Sequence, residues 1–196
     1  MTYIYFSNFF IKTVFIILFT FSFNVMANEQ PDYTVIKKDN EFEIRQYTNF
    51  LTATVETEGE RDDAIGKGFR ILFKYISGEN KNKESISMTV PVMQKSIGAN
   101  KWNVSFVVPK KFNLQNVPQP DNQSVKIINN SNLKVIVITF SGLFSDANIK
   151  ENETRLRNYI KEKGFKIEEP AIYAGYNAPW TLWFLKRNEV LFKLIN

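Results

Sequence analysis

FEIRQYTNFLTATVETEGERDDAIGKGFRILFKYIS, residues Phe42 to Ser77, switches its hydrophobic period once, and that switch sets the architecture. In the first part Phe42 and Ile44 alternate with Glu41, Glu43 and Arg45, then Leu51, Ala53 and Val55 alternate with Thr52, Thr54 and Glu56. A period of two belongs to half-buried strands, so these residues predict two strands joined as a hairpin or meander. In the second part Ile65, Phe69, Leu72, Phe73 and Ile76 recur at the spacing of one helix face. Asp62 or Asp63 is available as N-cap and Gly78 as a stop. The stretch therefore predicts strand, strand and an amphipathic helix whose apolar stripe turns toward a sheet.

Beyond a polar loop, Gly78 to Glu84, the segment ISMTVPVM (Ile86 to Met93) and the alternating Trp102, Val104, Phe106 and Val108 supply two more strands. Asn113 to Gln123, rich in Asn, Gln and Pro, reads as a connector. The order then recurs. Val125 to Ile128 and Lys134 to Phe140 read as strands around a turn, and the apolar run Val135 to Ile138 predicts burial on both faces. Ser145 or Asp146 caps a helix carrying Ile149, Leu156, Tyr159 and Ile160, ended by Gly164, and Ala171 to Tyr176 and Glu189 to Ile195 close the set. A strand-strand-helix-strand-strand unit thus occurs twice, which places the chain in the α+β class as an antiparallel sheet carrying two helices. Packing of the units about a pseudo-twofold leaves a cleft at their junction, the usual place for a small ligand.

Residues 1–27 read as a secretory signal peptide: Lys12 precedes an uncharged run from Thr13 to Ala27, with Val25 and Ala27 fitting a small-residue cleavage site. Residues 28–196 then form one domain, periplasmic or secreted. Contact with a membrane enters only through an uncleaved anchor, the other reading of an apolar run of this length. The chain contains 0 Cys and 0 His, so stability in an oxidising compartment must come from packing. Its 25 basic and 20 acidic residues leave a net +4 once Lys12 is removed. The positive charges are dispersed, without a basic stripe interleaved with aromatics, which speaks against nucleic acid as a partner. A monomer is expected.

ISMTVPV, followed by YNAPWTLWFLKRNEVLF and preceded by GFRILFKYISGEN, resembles the SOUL haem-binding protein family. The resemblance runs from about Tyr33 to Ile195. Met88-Thr89-Val90-Pro91-Val92 looks like that family's MTxPV element, and Asn177 to Thr181 with Arg187 to Val190 look like its NPPWT and RRNEV elements. Three departures stand out: Trp183 where a proline is common, Lys186 where an arginine is common, and the lack of histidine. The resemblance implies a distorted antiparallel β-barrel built from a duplicated unit with two main helices. It also implies binding of haem or free porphyrin, here without the histidine ligation proposed for some members.

With His and Cys absent, Met88, Met93 and the tyrosines are the remaining haem-ligand types. Met88 and Met93 lie five residues apart and point to opposite faces of an extended strand, so they cannot both reach one iron from the same side. Met88 reads first as core, with an axial role as the weaker alternative, and ISMTVPVM as architecture beside the cleft. The candidate pocket is apolar and tolerant of haem, metal-free porphyrin or another flat amphiphile. Its candidate lining is Ile65, Phe69 and Phe73 from the first helix with Met88, Tyr176, Trp180 and Phe184, and Arg187 as a carboxylate partner.

Gly66-Lys67-Gly68 is not a phosphate loop, because Ile71 stands where the third glycine is needed. Each helical glycine costs about 1 kcal/mol relative to alanine, so a close approach to the sheet or to a ligand is expected there. No Ser-His or Cys-His couple and no histidine-based zinc site can form. An enzyme acting on a small apolar molecule would need a carboxylate and a tyrosine facing each other in the pocket. An envelope protein-interaction module would instead show a cleft closed by Trp180 and Phe184.

Overall fold

The computed structural model describes residues 29–195; the signal-peptide reading lies outside the described residues. The chain runs β1 (Tyr33–Asp39), β2 (Phe42–Tyr47), β3 (Phe50–Glu58), α1 (Arg61–Ile76), β4 (Val92–Gly98), β5 (Lys101–Val107), β6 (Val125–Asn130), β7 (Lys134–Phe140), α2 (Asp146–Lys163), β8 (Ile167–Gly175) and β9 (Asn188–Leu194), with a 3-10 turn at Trp183–Leu185. All nine strands join one antiparallel sheet, in the order β1-β2-β7-β9-β8-β4-β5-β3-β6, curled into a half-barrel that carries both helices. The α+β duplication holds.

Outward from the central β4–β8 pair, one side runs β4, β5, β3, β6 and the other β8, β9, β7, β2, with β1 added at the edge. The last three strands of each unit stay together, and its first strand crosses to the far edge of the other unit. Ile44 of β2 faces Ile136 of β7, and Ala53 of β3 faces Ile127 of β6. The expected β2–β3 hairpin is therefore absent. Ile44 explains why: it packs with Ile136, Ile138, Leu156 and Phe192, all from the second half.

α1 also departs from expectation. Its buried line is Ala64, Gly68, Leu72, Tyr75 and Ile76, whereas Phe69 and Phe73 are 38% and 50% exposed. The small side chains at 64 and 68 let the helix settle closely on the sheet along their own line. A Cβ built on Gly68 would meet Val104 Cγ2 at 2.6 Å, so the larger aromatics are turned aside. The N-cap is Glu60 rather than Asp62 or Asp63, which lie in the first turn, where their charge suits the helix dipole. α2 is capped as its sequence directs, Ser145 accepting from the Asn148 amide and Gly164 adopting the left-handed conformation.

ISMTVPVM is strand only at Val92 and Met93. Its earlier residues are fixed by single bonds instead: the buried Thr89 hydroxyl donates to the Val107 carbonyl at 2.5 Å, and the Val90 amide to Glu29 O at 2.8 Å. The helices cover two cores, one under α1 around Leu72, Val104 and Phe106 and one under α2 around Leu156, Val190 and Phe192. A third, of Tyr47, Val135, Val137 and Leu191, lies on the opposite sheet face.

Candidate functional site

The period-two rule sends Arg45 and Glu189 to the sheet face away from the helices, and there they meet. Glu189 is fully buried, and its carboxylate accepts from Arg45 (3.0 Å), Arg187 Nη2 (2.7 Å) and Nε (3.1 Å), Thr139 (3.2 Å) and the Tyr176 hydroxyl (2.7 Å). Burial lowers the tendency of Arg45 to hold its proton, but the Glu189 charge outweighs it and the guanidinium stays charged. Burial, reinforced by that same charge, pushes the Tyr176 and Tyr47 phenols well up, so both are neutral. Arg187 lies 3.9 Å over the Tyr176 ring and donates its Nη1 to Gln30.

The cluster clamps the β8–β9 connection at its base. The Tyr176 amide donates to Arg187 O at 3.2 Å and the Arg187 amide to Asn177 Oδ1 at 2.6 Å. Between these ends, Leu185 N bonds Leu182 O at 2.9 Å, Lys186 Nζ bonds Pro179 O at 3.1 Å, and Trp183 O accepts from Gly142 N at 3.0 Å. A loop held at this many points presents its side chains outward by construction. Trp180 is 85% exposed and Phe184 54%, so they do not close a cleft.

The eight candidate residues fall into three groups. Ile65 is half-buried against the α1 core, while the Phe69 and Phe73 rings lie parallel, 6.1 Å apart at 10°, with the Phe69 ring edge-on to Phe106 at 5.1 Å. Phe106 pairs across the sheet with Val92, and Val92 with Gly175. The segment bearing Met88 therefore enters the sheet, and the loop bearing Trp180 and Phe184 leaves it, at the same end and beside that aromatic flank. Tyr176 and Arg187 form the third group, committed to Glu189. Sequence reasoning singled out Tyr176 and Arg187, the latter as a partner for a ligand carboxylate, but missed Arg45, Tyr47 and Thr139, which come from strands distant in the chain.

The largest of four cavities described, about 580 Å³, lies elsewhere, between α2 and the β4–β5 turn, with Trp102, Glu153, Arg157 and Tyr173 on its wall. None of the eight lines any of these four. Five of them, Phe69, Phe73, Met88, Trp180 and Phe184, are exposed apolar side chains rather than the lining of a closed pocket. The carboxylate–tyrosine pair that an enzyme would need exists as Glu189 and Tyr176, yet it is sealed from solvent with every polar atom bonded, which suits a structural clamp. Among the described residues no group of three or more acidic side chains could hold a metal ion.

The family model described as SOUL heme-binding protein matches residues 28–193. The chain belongs to the SOUL family. Curated relatives of this SOUL chain include mouse "Heme-binding protein 2", 28% identical over 164 residues and covering 76% of this chain and 79% of the relative. Mouse "Heme-binding protein 1" is 29% identical over 162 residues, covering 79% and 84%. Among solved structures, the EcmrR C-terminal domain superposes with a TM-score of 0.62 at 7% identity, over 84% of this chain and 98% of that one. A hydrolase from Listeria innocua follows with 0.54 at 12%, over 82% and 94%. At such identities these two speak for the SOUL fold alone.

Proposed function

We propose that this SOUL protein is an exported tetrapyrrole binder that holds haem, or the metal-free ring, on the open surface formed by Phe69, Phe73, Met88, Trp180 and Phe184. The observation that carries the reading is the parallel Phe69–Phe73 pair, exposed at the sheet end where Met88 and the clamped loop also emerge. Flat aromatic faces held in place by the fold favour a flat conjugated ligand by stacking and apolar burial. The "Heme-binding protein" names of its relatives support the same ligand class. Met88, part-exposed, is the one thioether of the set, whereas the Tyr176 hydroxyl is already bonded to Glu189. Iron ligation is therefore secondary to the apolar contact. Arg187 acts through the loop it positions, since Glu189 engages its Nε and Nη2.

Titration with haemin and with metal-free protoporphyrin, read by absorbance and tryptophan quenching, tests this. Both should saturate at one per chain, and the Phe69→Ala/Phe73→Ala variant should weaken both by about tenfold, or ~1.4 kcal/mol. No saturable binding of either would overturn the reading, and binding of haemin alone would overturn its ligation-independent form.

Export rests on the N-terminal pattern and is supported by a family match that begins at residue 28. Expressed in a Gram-negative host, the chain should be recovered from the periplasm with a mass that starts at Asn28. Recovery of the intact chain from the cytoplasm would refute export.

A further inference from the structure

The apolar tip extends beyond the residues assigned to the tetrapyrrole. Trp180, Leu182, Trp183, Phe184 and Leu185 are each more than half exposed, as is Leu143, next to the Gly142 that bonds Trp183. From Pro170 to Asn188 the chain carries no acidic residue, and it ends this run with Lys186 and Arg187. Six large apolar side chains held in water at one tip are a contiguous liability that soluble proteins seldom keep without a partner.

We propose that this tip is a membrane-docking surface that seats the domain on a phospholipid bilayer with anionic headgroups. Three observations select that occupant. Tryptophan, phenylalanine and leucine beside a lysine is the composition that settles at the headgroup boundary, where indole rings are favoured and basic groups meet anionic lipid. The tip is preformed, clamped by the Glu189 cluster and by its own backbone bonds, so insertion costs little ordering. Most directly, Glu29 and Gln30 are tied to the root of this tip: Glu29 O accepts from the Val90 amide at 2.8 Å, and the Gln30 side chain accepts from Arg187 at 3.1 Å. In the sequence these two residues follow the uncharged run Thr13 to Ala27, whose composition is that of a bilayer-entering segment.

The docking does not rest on the tetrapyrrole reading. Where both hold, Trp180 and Phe184 serve ligand and lipid alike, and a ring dissolved in the bilayer passes to the protein without crossing water.

Residues 28–196, which contain every described strand and helix, are mixed with vesicles of phosphatidylglycerol and phosphatidylcholine, or of phosphatidylcholine alone, in the absence of tetrapyrrole. Co-flotation with the anionic vesicles is expected, weakened by salt. Leu182→Ser/Leu185→Ser should reduce it by about tenfold while leaving haemin affinity unchanged, because neither side chain is an assigned contact. Brominated lipid in the same vesicles should quench the tryptophan emission of the unaltered protein, which needs no variant to fold. Absence of flotation, equal flotation of the variant, or no quenching overturns the proposal. So does a concentration-dependent dimer that the same substitutions abolish, which would make a second copy the occupant.

Discussion

Glu189→Ala is expected to destabilise the domain by about 3–5 kcal/mol, because it leaves Arg45 without its principal counter-charge and takes from Arg187 the group that holds it. The Arg45 side chain is 3% exposed and its remaining carboxylate partner is Glu43 at 2.8 Å, which Lys38 also engages at 2.9 Å. Tyr176→Phe removes one hydrogen bond and leaves the charges balanced, so its cost should be smaller, about 1–2 kcal/mol. Urea unfolding followed by far-UV circular dichroism checks both. A Glu189→Ala loss below about 1 kcal/mol would mean that water enters the cluster. The same substitution should also free the loop, so the Trp180 and Trp183 emission should become more mobile even where the domain remains folded.

The second large effect separates two glycines that lie two residues apart in α1, Gly66 and Gly68. Gly68→Ala should cost about 1–3 kcal/mol, the range for forcing an extra methyl into a packed core. Its new Cβ would lie 2.7 Å from the branched Cβ of Val104, which is fully buried in the centre of β5 and cannot swing aside. Gly66→Ala should do the opposite, raising stability by up to about 1 kcal/mol, since it removes the helical penalty of glycine and meets nothing within 4 Å. Thermal unfolding of the two variants side by side decides the matter. Equal shifts would show that α1 does not sit on β5 as closely as described.

These glycines show where the sequence was legible and where it was not. Periodicity located both helices and most strands, because each buries one face and its apolar residues repeat accordingly. It misjudged which face of α1 lies down, since large side chains were counted as the buried ones. The contact line instead uses Ala64 and Gly68, whose smallness is the reason for the contact. β1 escaped notice for a related reason: it is an edge strand with Val35 and Ile36 exposed, so its pattern carries no burial signal. At the candidate site the motif marked Trp180, Phe184, Arg187 and Glu189 together. Arg45 and Thr139 could not be joined to them without knowing which strands are neighbours, and local patterns carry no such information.

The crossing of each unit's first strand to the other unit has a consequence for the order in which the chain can fold. β2 cannot find its place until β7 exists, and β3 waits for β6 to close its outer edge. A chain made from its N-terminus presents the first half first, with β2 unpaired along the side where β7 belongs. The core under α1 is drawn almost wholly from that half, yet its outer strand β3 keeps an open edge until β6 arrives, and the two halves lock only as partners of each other. An interlaced duplication of this kind completes its sheet only when both halves are present.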